Sequence, residues 1–144
     1  MSNLLNIFVG FDQKEAIAYD TFVQSLIENS TIPLSITPLA ENNLDHYTEK
    51  HTDGTNQFTY SRFLVPHLMN FKGWAIFADG DMVCLSDIKI LKSYFDTKKA
   101  VTVVKHNYKT KHKKKYFGQK NDDYPRKNWS SMIIWNCEHP KNKI

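Results

Sequence analysis

Short apolar runs alternate with longer segments of mixed polarity along this chain of 144 residues. Runs rich in β-branched and aromatic side chains are typical of strands buried in a sheet. Five such runs predict strands at residues 4–9, 34–39, 74–78, 100–104 and 130–135. Pro38 lies in the second run and predicts either an edge strand or an early end of the strand, because proline cannot donate a hydrogen bond to a neighbouring strand.

A longer segment with helical spacing follows the first run. Residues 14–28 repeat apolar side chains every three to four positions, and this stripe consists of Ala16, Ile17, Tyr19, Phe22, Val23, Leu26 and Ile27. Asp12 is a candidate N-cap, with Glu15 three residues later in the manner of a capping box. The pattern predicts an amphipathic helix packed on the sheet.

The middle of the chain predicts two shorter helices. Residues 59–69 favour a helix in which Pro66 either introduces a kink or marks a fresh start. Another helix is predicted to run through residues 91–95, with Ser86 or Asp87 as its cap.

Strands that alternate with helices favour an α/β fold. We expect a three-layer sandwich with a mostly parallel central sheet, formed by residues 1–144 as a single domain, since this length suits one compact unit. The polar segment 40–56 is predicted to be a loop. Ligands of such sheets gather at the carboxyl ends of the strands. Asp12 and Asp79 both follow apolar runs at such ends and are therefore candidate site residues.

The composition is that of a globular protein, with 41% hydrophobic and 24% charged residues. No stretch approaches the roughly 20 apolar residues of a membrane span. We also expect no secretory signal, since the first ten residues lack a basic start and a long apolar core. Cys84 and Cys137 lie in apolar runs, which favours free thiols in a reducing compartment. We therefore expect a cytoplasmic protein, with peripheral attachment to a membrane surface as the alternative.

Positive charge is concentrated in one segment. The formal net charge is +4, and residues 105–120 contain seven lysines and no acid, interleaved with Tyr108, Tyr116 and Phe117. Residues 105–126 are predicted to form a long loop. Its lysines would suit single-stranded nucleic acid or an anionic acceptor such as a lipid head group or an acidic polysaccharide. A solvated loop is the favoured interpretation, and nucleic acid is the least favoured partner of the protein.

The acidic pair Asp79 and Asp81 carries the clearest chemistry. Both carboxylates follow the apolar run 74–78, and Gly80 between them permits a turn. Converging carboxylates repel each other unless a cation lies between them, and hard oxygen donors favour Mg²⁺ or Mn²⁺. Such an ion binds a diphosphate and activates it as a leaving group. A plain surface turn is less favoured, because residues 82–85 after the pair are again apolar.

A second interpretation makes Asp79 a nucleophile. The pattern Asp-x-Asp-x-Val after an apolar strand also resembles the first motif of the haloacid-dehalogenase-like phosphohydrolases, in which the first aspartate attacks phosphate. That motif usually opens a domain, whereas two strand–helix units precede Asp79 here. The later residues of that motif set are not found at convincing spacing, so this interpretation ranks second.

The sequence resembles the GT-A glycosyltransferases, and within them family 8, the glycogenin and galactosyltransferase-like group. The resemblance rests on the opening IFVGFDQKEAIAYDTFVQSLIENS, on YSRFLVPHL before a strand, on DGDMVCLSDI, and on NWSSMIIWN. It covers most of the chain and is most specific in the middle. It implies that the chain is a metal-dependent glycosyltransferase domain that uses a nucleotide-sugar donor, most simply a UDP-sugar. The acceptor, whether saccharide, lipid or protein, is left open.

The resemblance also implies roles for individual residues. Asp12 would contact the base or ribose, and Tyr60 and Arg62 would hold the donor, as would Gly80 within its turn. Asp79 and Asp81 would bind the metal and touch the ribose. The sugar pocket would be lined by Asn128, Ser130 and Ser131. The catalytic residues are not identified.

Plainer roles remain open for the same residues. Asp12 could serve only as a helix cap, Arg62 could pair with a carboxylate of its own domain, and Tyr60 could pack in the core. Asn128 and the two serines could be polar groups at a strand edge.

Two departures from the family pattern bear on activity. The family usually has glycine where this chain has Ser131, and it places a third metal ligand, a histidine, well beyond this stretch. His139 comes too early for that role. The sequence therefore predicts either a truncated family member or a metal site completed by water, and a non-catalytic nucleotide-sugar binder remains an alternative.

Overall fold

The computed structural model describes residues 3–48, 56–114, 118 and 120–143. Its sheet has five strands in the order β2-β1-β3-β5-β4. The strands, in chain order from β1 to β5, are Leu5–Gly10, Leu34–Leu39, Trp74–Ala78, Val101–Val103 and Met132–Asn136. Strand β1 is parallel to both β2 and β3, whereas β5 is antiparallel to both β3 and β4. The sheet is therefore mixed but mostly parallel.

The helical elements lie on both faces of the sheet. Helix α1 (Ala16–Asn29) continues a 3-10 turn at Gln13–Glu15, and α2 (Val65–Leu68) continues a 3-10 turn at Ser61–Leu64. The other 3-10 segments are Glu41–Asn43, Ile88–Tyr94, Trp129–Ser131 and Pro140–Asn142.

Two apolar cores fill the spaces between the sheet and these helices. Alternate residues of each strand point to opposite faces, so Ile76 joins one core and its neighbour Phe77 joins the other. The first core packs against α1 through Phe22 and Leu26, and against the 3-10 segment at Ile88. The second packs against Phe58 and the start of α2. These two cores make the fold a three-layer sandwich, which confirms the predicted fold class.

The strand predictions hold with two corrections at the C-terminal end. Strand β2 spans the predicted residues and lies at the sheet edge, so of the two alternatives for Pro38 the edge strand is the one observed. Strand β5 begins at Met132 rather than at residue 130, because the preceding residues form a 3-10 turn. Its antiparallel direction was not predicted, since an apolar run carries no information about direction.

The predicted helix at 59–69 is two short helices. Pro66 occupies the first turn of α2, where its missing N–H group has no partner to lose, so it marks a fresh start and not a kink. The helix predicted near residues 91–95 is a 3-10 segment from Ile88 to Tyr94, and the Asp87 carboxylate caps it by accepting from the Lys89 N–H group.

Some predicted apolar contacts are absent within the described residues. Ile17 is 83% exposed and Ile27 is also exposed, so the buried stripe of α1 is narrower than predicted. The run at 82–85 is likewise only half buried: Met82 and Cys84 pack against the core, whereas Leu85 is 87% exposed. The segment 82–85 thus lies along the surface of the domain and does not enter it.

Parts of two predicted loops lie outside the described residues. These parts are positions 49–55 of the loop 40–56, and positions 115–117 and 119 of the lysine segment, which include Tyr116 and Phe117. Cys84 and Cys137 are both free, and Cys137 is fully buried. Among the helices of the described chain, none combines the length and apolar character that crossing a bilayer requires.

Gly80 joins the ends of β1 and β3. A Cβ atom at this position would lie 2.4 Å from the carbonyl oxygen of Gly10, which ends β1. A backbone oxygen within a parallel strand pair cannot move aside as a side chain can. Only glycine therefore allows the turn after β3 to pack so closely on β1.

We predict that Gly80→Ala lowers the free energy of unfolding by about 1–3 kcal/mol, because the added methyl group forces the two strand ends apart. Urea denaturation measures this change. The control is Ser86→Ala in the same segment at an exposed position, which should change the free energy by less than about 0.5 kcal/mol. Equal stability of the two variants would show that the turn adapts without strain.

Candidate functional site

A polar cleft opens where β3 ends and β5 begins. Its volume is about 380 Å³. Because β5 runs antiparallel to β3, the last residue of β3 pairs with the first residue of β5, and the segments beyond these strand ends meet. The cleft is lined by Glu15, Asn56, Thr59, Arg62, Asp79, Asp81, Tyr124, Asn128, Ser130 and Ser131. Six of the nine predicted site residues therefore share one cavity.

Arg62 and Asp79 form an ion pair at the floor of this cleft. Arg62 Nη1 lies 2.9 Å from Asp79 Oδ1, and the two side chains are only 8% and 20% exposed. The guanidinium also lies over the ring of Phe77 at 4.9 Å and over that of Phe58 at 5.5 Å. The alternative in which Arg62 pairs with a carboxylate of its own domain is therefore the arrangement observed, and its partner is the first acid of the pair.

The other bonds of Arg62 tie three segments together. Nη1 donates to the Ser130 carbonyl at 2.7 Å, while Nε donates to the carbonyls of Phe58 and Thr59 at 3.2 and 3.0 Å. The Asp79 N–H group donates to the Ser131 carbonyl at 2.9 Å. Arg62 thus links the turn before α2, the end of β3 and the turn before β5.

The Asp79 carboxyl group is electrostatically strained. Burial raises its pKa to about 7, and this effect outweighs the opposing charge of Arg62; Asp81 and Glu15 raise it further. Arg62 has a lowered pKa because it too is removed from water. The charge of Arg62 therefore only partly offsets the cost of burying an ionised Asp79. Additional positive charge in the cleft would stabilise the ionised form.

Glu15 is a site residue that the sequence did not reveal. Burial raises the pKa of Glu15, and the nearby negative charges of Asp81 and Asp12 raise it further. Glu15 ends the 3-10 turn that precedes α1, and its side chain lines the cleft beside Asp81. In the sequence, Glu15 fits a capping box with Asp12, which does not indicate a site residue. The capping box is not formed, because the Asp12 carboxylate accepts from Lys14 N–H and not from Glu15 N–H.

The predicted sugar-pocket residues form one tight turn. Asn128 has a left-handed backbone (φ 65°), and its carbonyl accepts both the Ser131 N–H group at 3.2 Å and the Ser131 hydroxyl at 2.7 Å. The Ser130 carbonyl faces Arg62. All three residues line the cleft, with Asn128 exposed at its rim.

Three predicted residues do not line the cleft. Asp12 is buried and caps the turn before α1; its second oxygen accepts from Gln57 N–H at 3.3 Å. Tyr60 is half-buried at the N-terminus of the 3-10 turn that leads into α2. Gly80 packs on the end of β1 and shapes the turn between the two acids. Asp12 acts as a cap, as one of its two interpretations states, while its contact with a base or ribose stays a prediction.

The residues present fit a divalent cation only in part. Asp79 and Asp81 both line the cleft, and their mutual repulsion is the condition that a bound cation relieves. Among the described residues no group of three histidine, cysteine, aspartate or glutamate side chains could hold a metal ion. His139, for instance, accepts from Lys141 N–H and caps a 3-10 segment. A cation here would keep two protein ligands and take the rest from water or phosphate, which is the usual arrangement for Mg²⁺.

The described residues of the segment 105–128, namely 105–114, 118 and 120–128, form a folded lobe beside the cleft, which we call the lysine lobe. Its two arms, 105–114 and 120–128, are joined by hydrogen bonds from Asn121 to the carbonyls of His112 and Lys113 and by a bond between Thr110 and Asp123. Tyr124 at the end of the second arm lines the cleft. The described part of the predicted loop 105–126 contains no α-helix or extended strand, but it has an internal structure.

Lys127 holds the lysine lobe together. It is only 5% exposed, and its ammonium group donates to Thr110 Oγ1, Asn121 Oδ1 and the Asp122 carbonyl at 2.5–2.9 Å. These bonds use all three of its N–H donors. The same ammonium lies 5.8 Å from the Tyr108 ring and 5.4 Å from the Tyr124 ring. Nothing in a lysine-rich segment indicates which lysine is buried, so the role of Lys127 was not predicted.

The comparisons with known proteins bear on the fold. No family model matches the chain. The chain is 43% identical over 141 residues to Protein CDI of Arabidopsis thaliana; the match covers 95% of this chain and 54% of that protein, so the chain spans about half the length of this curated relative. The apo structure of the bifunctional glycosyltransferase WbbM matches 96% of this chain and 32% of its own, with a TM-score of 0.64 and 15% identity. The chain has a glycosyltransferase-like fold.

The raised pKa of Asp79 predicts how the stability of the metal-free protein depends on pH. Because the folded-state pKa is about 7 and the ordinary value is 3.8, the folded state binds the proton more tightly. This group therefore lowers the free energy of unfolding as pH rises from about 4 to about 7. In Asp79→Asn that loss disappears, so the stability of the variant relative to the original protein should increase across this window.

Urea denaturation in EDTA at several pH values measures this difference. It should rise between pH 4.5 and pH 7.5 and level off above pH 8. A difference independent of pH would show that Asp79 keeps its ordinary acidity in the folded protein.

Removing Lys127 should open the lysine lobe. In Lys127→Met the three acceptors lose their donor, and a buried unpaired acceptor costs about 1–3 kcal/mol. We expect hydrogen-exchange protection of the Thr110 and Asn121 amides to fall by about tenfold or more, while β1 and β3 stay protected. The control is Lys109→Met, an exposed lysine of the same lobe. Unchanged protection in Lys127→Met would contradict the role of this side chain.

Proposed function

We propose that the chain binds a nucleoside-diphosphate sugar, most simply a UDP-sugar, and belongs to a metal-dependent glycosyltransferase similar to family 8. The observation that carries this proposal is the polar cleft at the meeting of β3 and β5, where Asp79, Asp81, Arg62 and the Asn128–Ser131 turn line one cavity. The glycosyltransferase-like fold supports it.

Each side chain has a task in this proposal. Asp79 and Asp81 would hold Mn²⁺ or Mg²⁺, which, when bound, supplies positive charge to the diphosphate leaving group. Arg62 fixes the position of Asp79 through their ion pair, so it acts on the donor through Asp79. Asn128, Ser130 and Ser131 would face the sugar, with the Asn128 amide exposed at the rim.

The reaction itself is a substitution at the anomeric carbon. A bond forms from an acceptor hydroxyl oxygen to that carbon, and the bond from the carbon to the diphosphate oxygen breaks. The electron pair leaves with the nucleoside diphosphate, and the hydroxyl proton is released. The cleft is open at Tyr124 and Asn128, two exposed rim residues past which an acceptor would enter.

The phosphohydrolase alternative has less support. The motif of those phosphohydrolases usually opens a domain, whereas β1, α1 and β2 precede Asp79 here, and the solved structure that the chain matches is a glycosyltransferase. A phosphatase assay with Mg²⁺ separates the two functions, because a glycosyltransferase leaves simple phosphate esters intact. A protein that binds UDP but neither transfers nor hydrolyses the sugar would match the non-catalytic alternative.

Titration calorimetry with UDP and Mn²⁺ tests the proposal. We expect saturable binding that requires the metal, and we expect Asp81→Asn to weaken it by about tenfold or more, the scale on which altered metal sites lose affinity. Asp81 is the better choice for this variant because it is exposed, so its replacement leaves the folded core intact.

The matched control is Asp20→Asn, which removes an exposed carboxylate from α1 outside the cleft. Its UDP affinity should equal that of the original protein. Absence of UDP binding by the folded protein, or equal weakening in both variants, would count decisively against a nucleotide-sugar site at the acidic pair.

A further inference from the structure

Charge is divided sharply between the cleft and the lysine lobe. Residues 105–128 contain nine of the 19 lysines and arginines of the chain but only two of its 15 acids. Both acids are engaged within the lobe: Asp123 bonds Thr110, and Asp122 lies 3.0 Å from Lys120 Nζ. The remainder of the chain has an excess of acids, and several of them meet in the cleft.

The described lysines of the lysine lobe are exposed, with the exception of Lys127. Lys127 is buried and holds the two arms together, whereas the described lysines of the first arm, Lys105, Lys109, Lys111, Lys113 and Lys114, are exposed. The backbone between them is fixed at Thr110, His112 and Lys113 by bonds to the second arm. These lysines therefore lie on a stretch of backbone whose course is set by its bonds to the second arm.

The second arm of the lysine lobe is continuous with the cleft. Tyr124 and Asn128 belong to the second arm, and both line the cavity that contains the acidic pair. Trp129 extends the connection, since its indole N–H donates to the His106 carbonyl at 3.2 Å and its ring contacts Lys105 and Arg126. A molecule that lies along the lysine lobe would thus reach the cleft at Tyr124.

We propose that the lysine lobe binds an acidic polysaccharide, a carboxylate-bearing sugar chain whose hydroxyl groups are presented to the cleft as acceptor. This inference rests on the proposed glycosyltransferase function and adds the class of acceptor. An extended chain of acidic sugars carries negative charge at regular intervals, which complements the several exposed lysines of the first arm. It also offers hydroxyl groups along its length, as an acceptor must.

Two other polyanions fit the described lobe less well. Single-stranded nucleic acid requires free aromatic faces for base stacking. The rings of Tyr108, Tyr124 and Trp129, however, each have a cation of the lobe within 5.4–5.9 Å. A membrane surface favours apolar side chains that insert among the lipids. In the described lobe lysine is the commonest exposed residue, and the exposed large hydrophobic residues are Tyr108 and Tyr124.

Fluorescence anisotropy with a labelled, size-defined oligogalacturonide tests this proposal on the full chain. We expect binding that weakens with added salt and that falls when the carboxylates are methyl-esterified. The variant is Lys109→Gln, Lys111→Gln, Lys113→Gln, and the control is Lys72→Gln, Lys98→Gln, Lys99→Gln, which makes the same charge change at exposed positions elsewhere. The lobe variant should bind about tenfold more weakly at low salt, given three exposed charge contacts, and the control should bind normally.

Three results would overturn the proposal: no binding of the oligogalacturonide, equal weakening in both triple variants, or tighter binding of poly(U) or phosphatidylserine vesicles than of the oligogalacturonide. UDP and Mn²⁺ titrations of the same proteins keep this test separate from that of the proposed function, because none of the three lobe lysines lines the cleft. If UDP fails to bind but the saccharide binds through the lobe, the donor function is wrong and the saccharide surface stands. If UDP binds normally and the saccharide does not bind, only the class of acceptor is wrong.

Discussion

The buried ion pair of Arg62 and Asp79 is the constraint on which the candidate site depends. A buried guanidinium beside two aromatic rings and a carboxylate at a strand end are both unfavourable in isolation, so each requires the other. The remaining bonds of Arg62 go to backbone carbonyls of the turns before α2 and before β5. One side chain thus determines where three chain segments meet, and the cleft is the space they leave.

The sheet and its two cores prepare this arrangement. Strand β3 is buried on both faces and lies between β1 and β5, so Asp79 emerges at the middle of the sheet edge where neighbouring segments converge. Gly80 lets the chain turn against the end of β1 without leaving that edge. Stability and site geometry are therefore coupled here. The pKa of Asp79 is raised because the site places a carboxyl group where a strand meets the core.

The sequence predicted the architecture because burial leaves a direct signature in residue type. The apolar runs identified all five strands, and the acidic pair after the third run identified the centre of the cleft. The direction of β5 left no such signature, since a run of apolar residues reads the same in both directions. Glu15, Tyr124 and Lys127 were missed for another reason: their roles arise from partners far away in the chain, such as Thr110 for Lys127, and each alone looks like an ordinary surface residue. Ile17 and Leu85 show the converse error, because an apolar side chain near a core need not point into it.

The attachment of the lysine lobe has a consequence for how such proteins diversify. The lobe leaves the sheet after β4 and returns at β5, and these strands are adjacent antiparallel neighbours with Val103 opposite Ile133. An excursion between paired strands can lengthen, shorten or reverse its charge without changing the order of the sheet or the position of the acidic pair. Relatives with the same acidic cleft could therefore diverge in what they recognise beside it through changes confined to this one insertion.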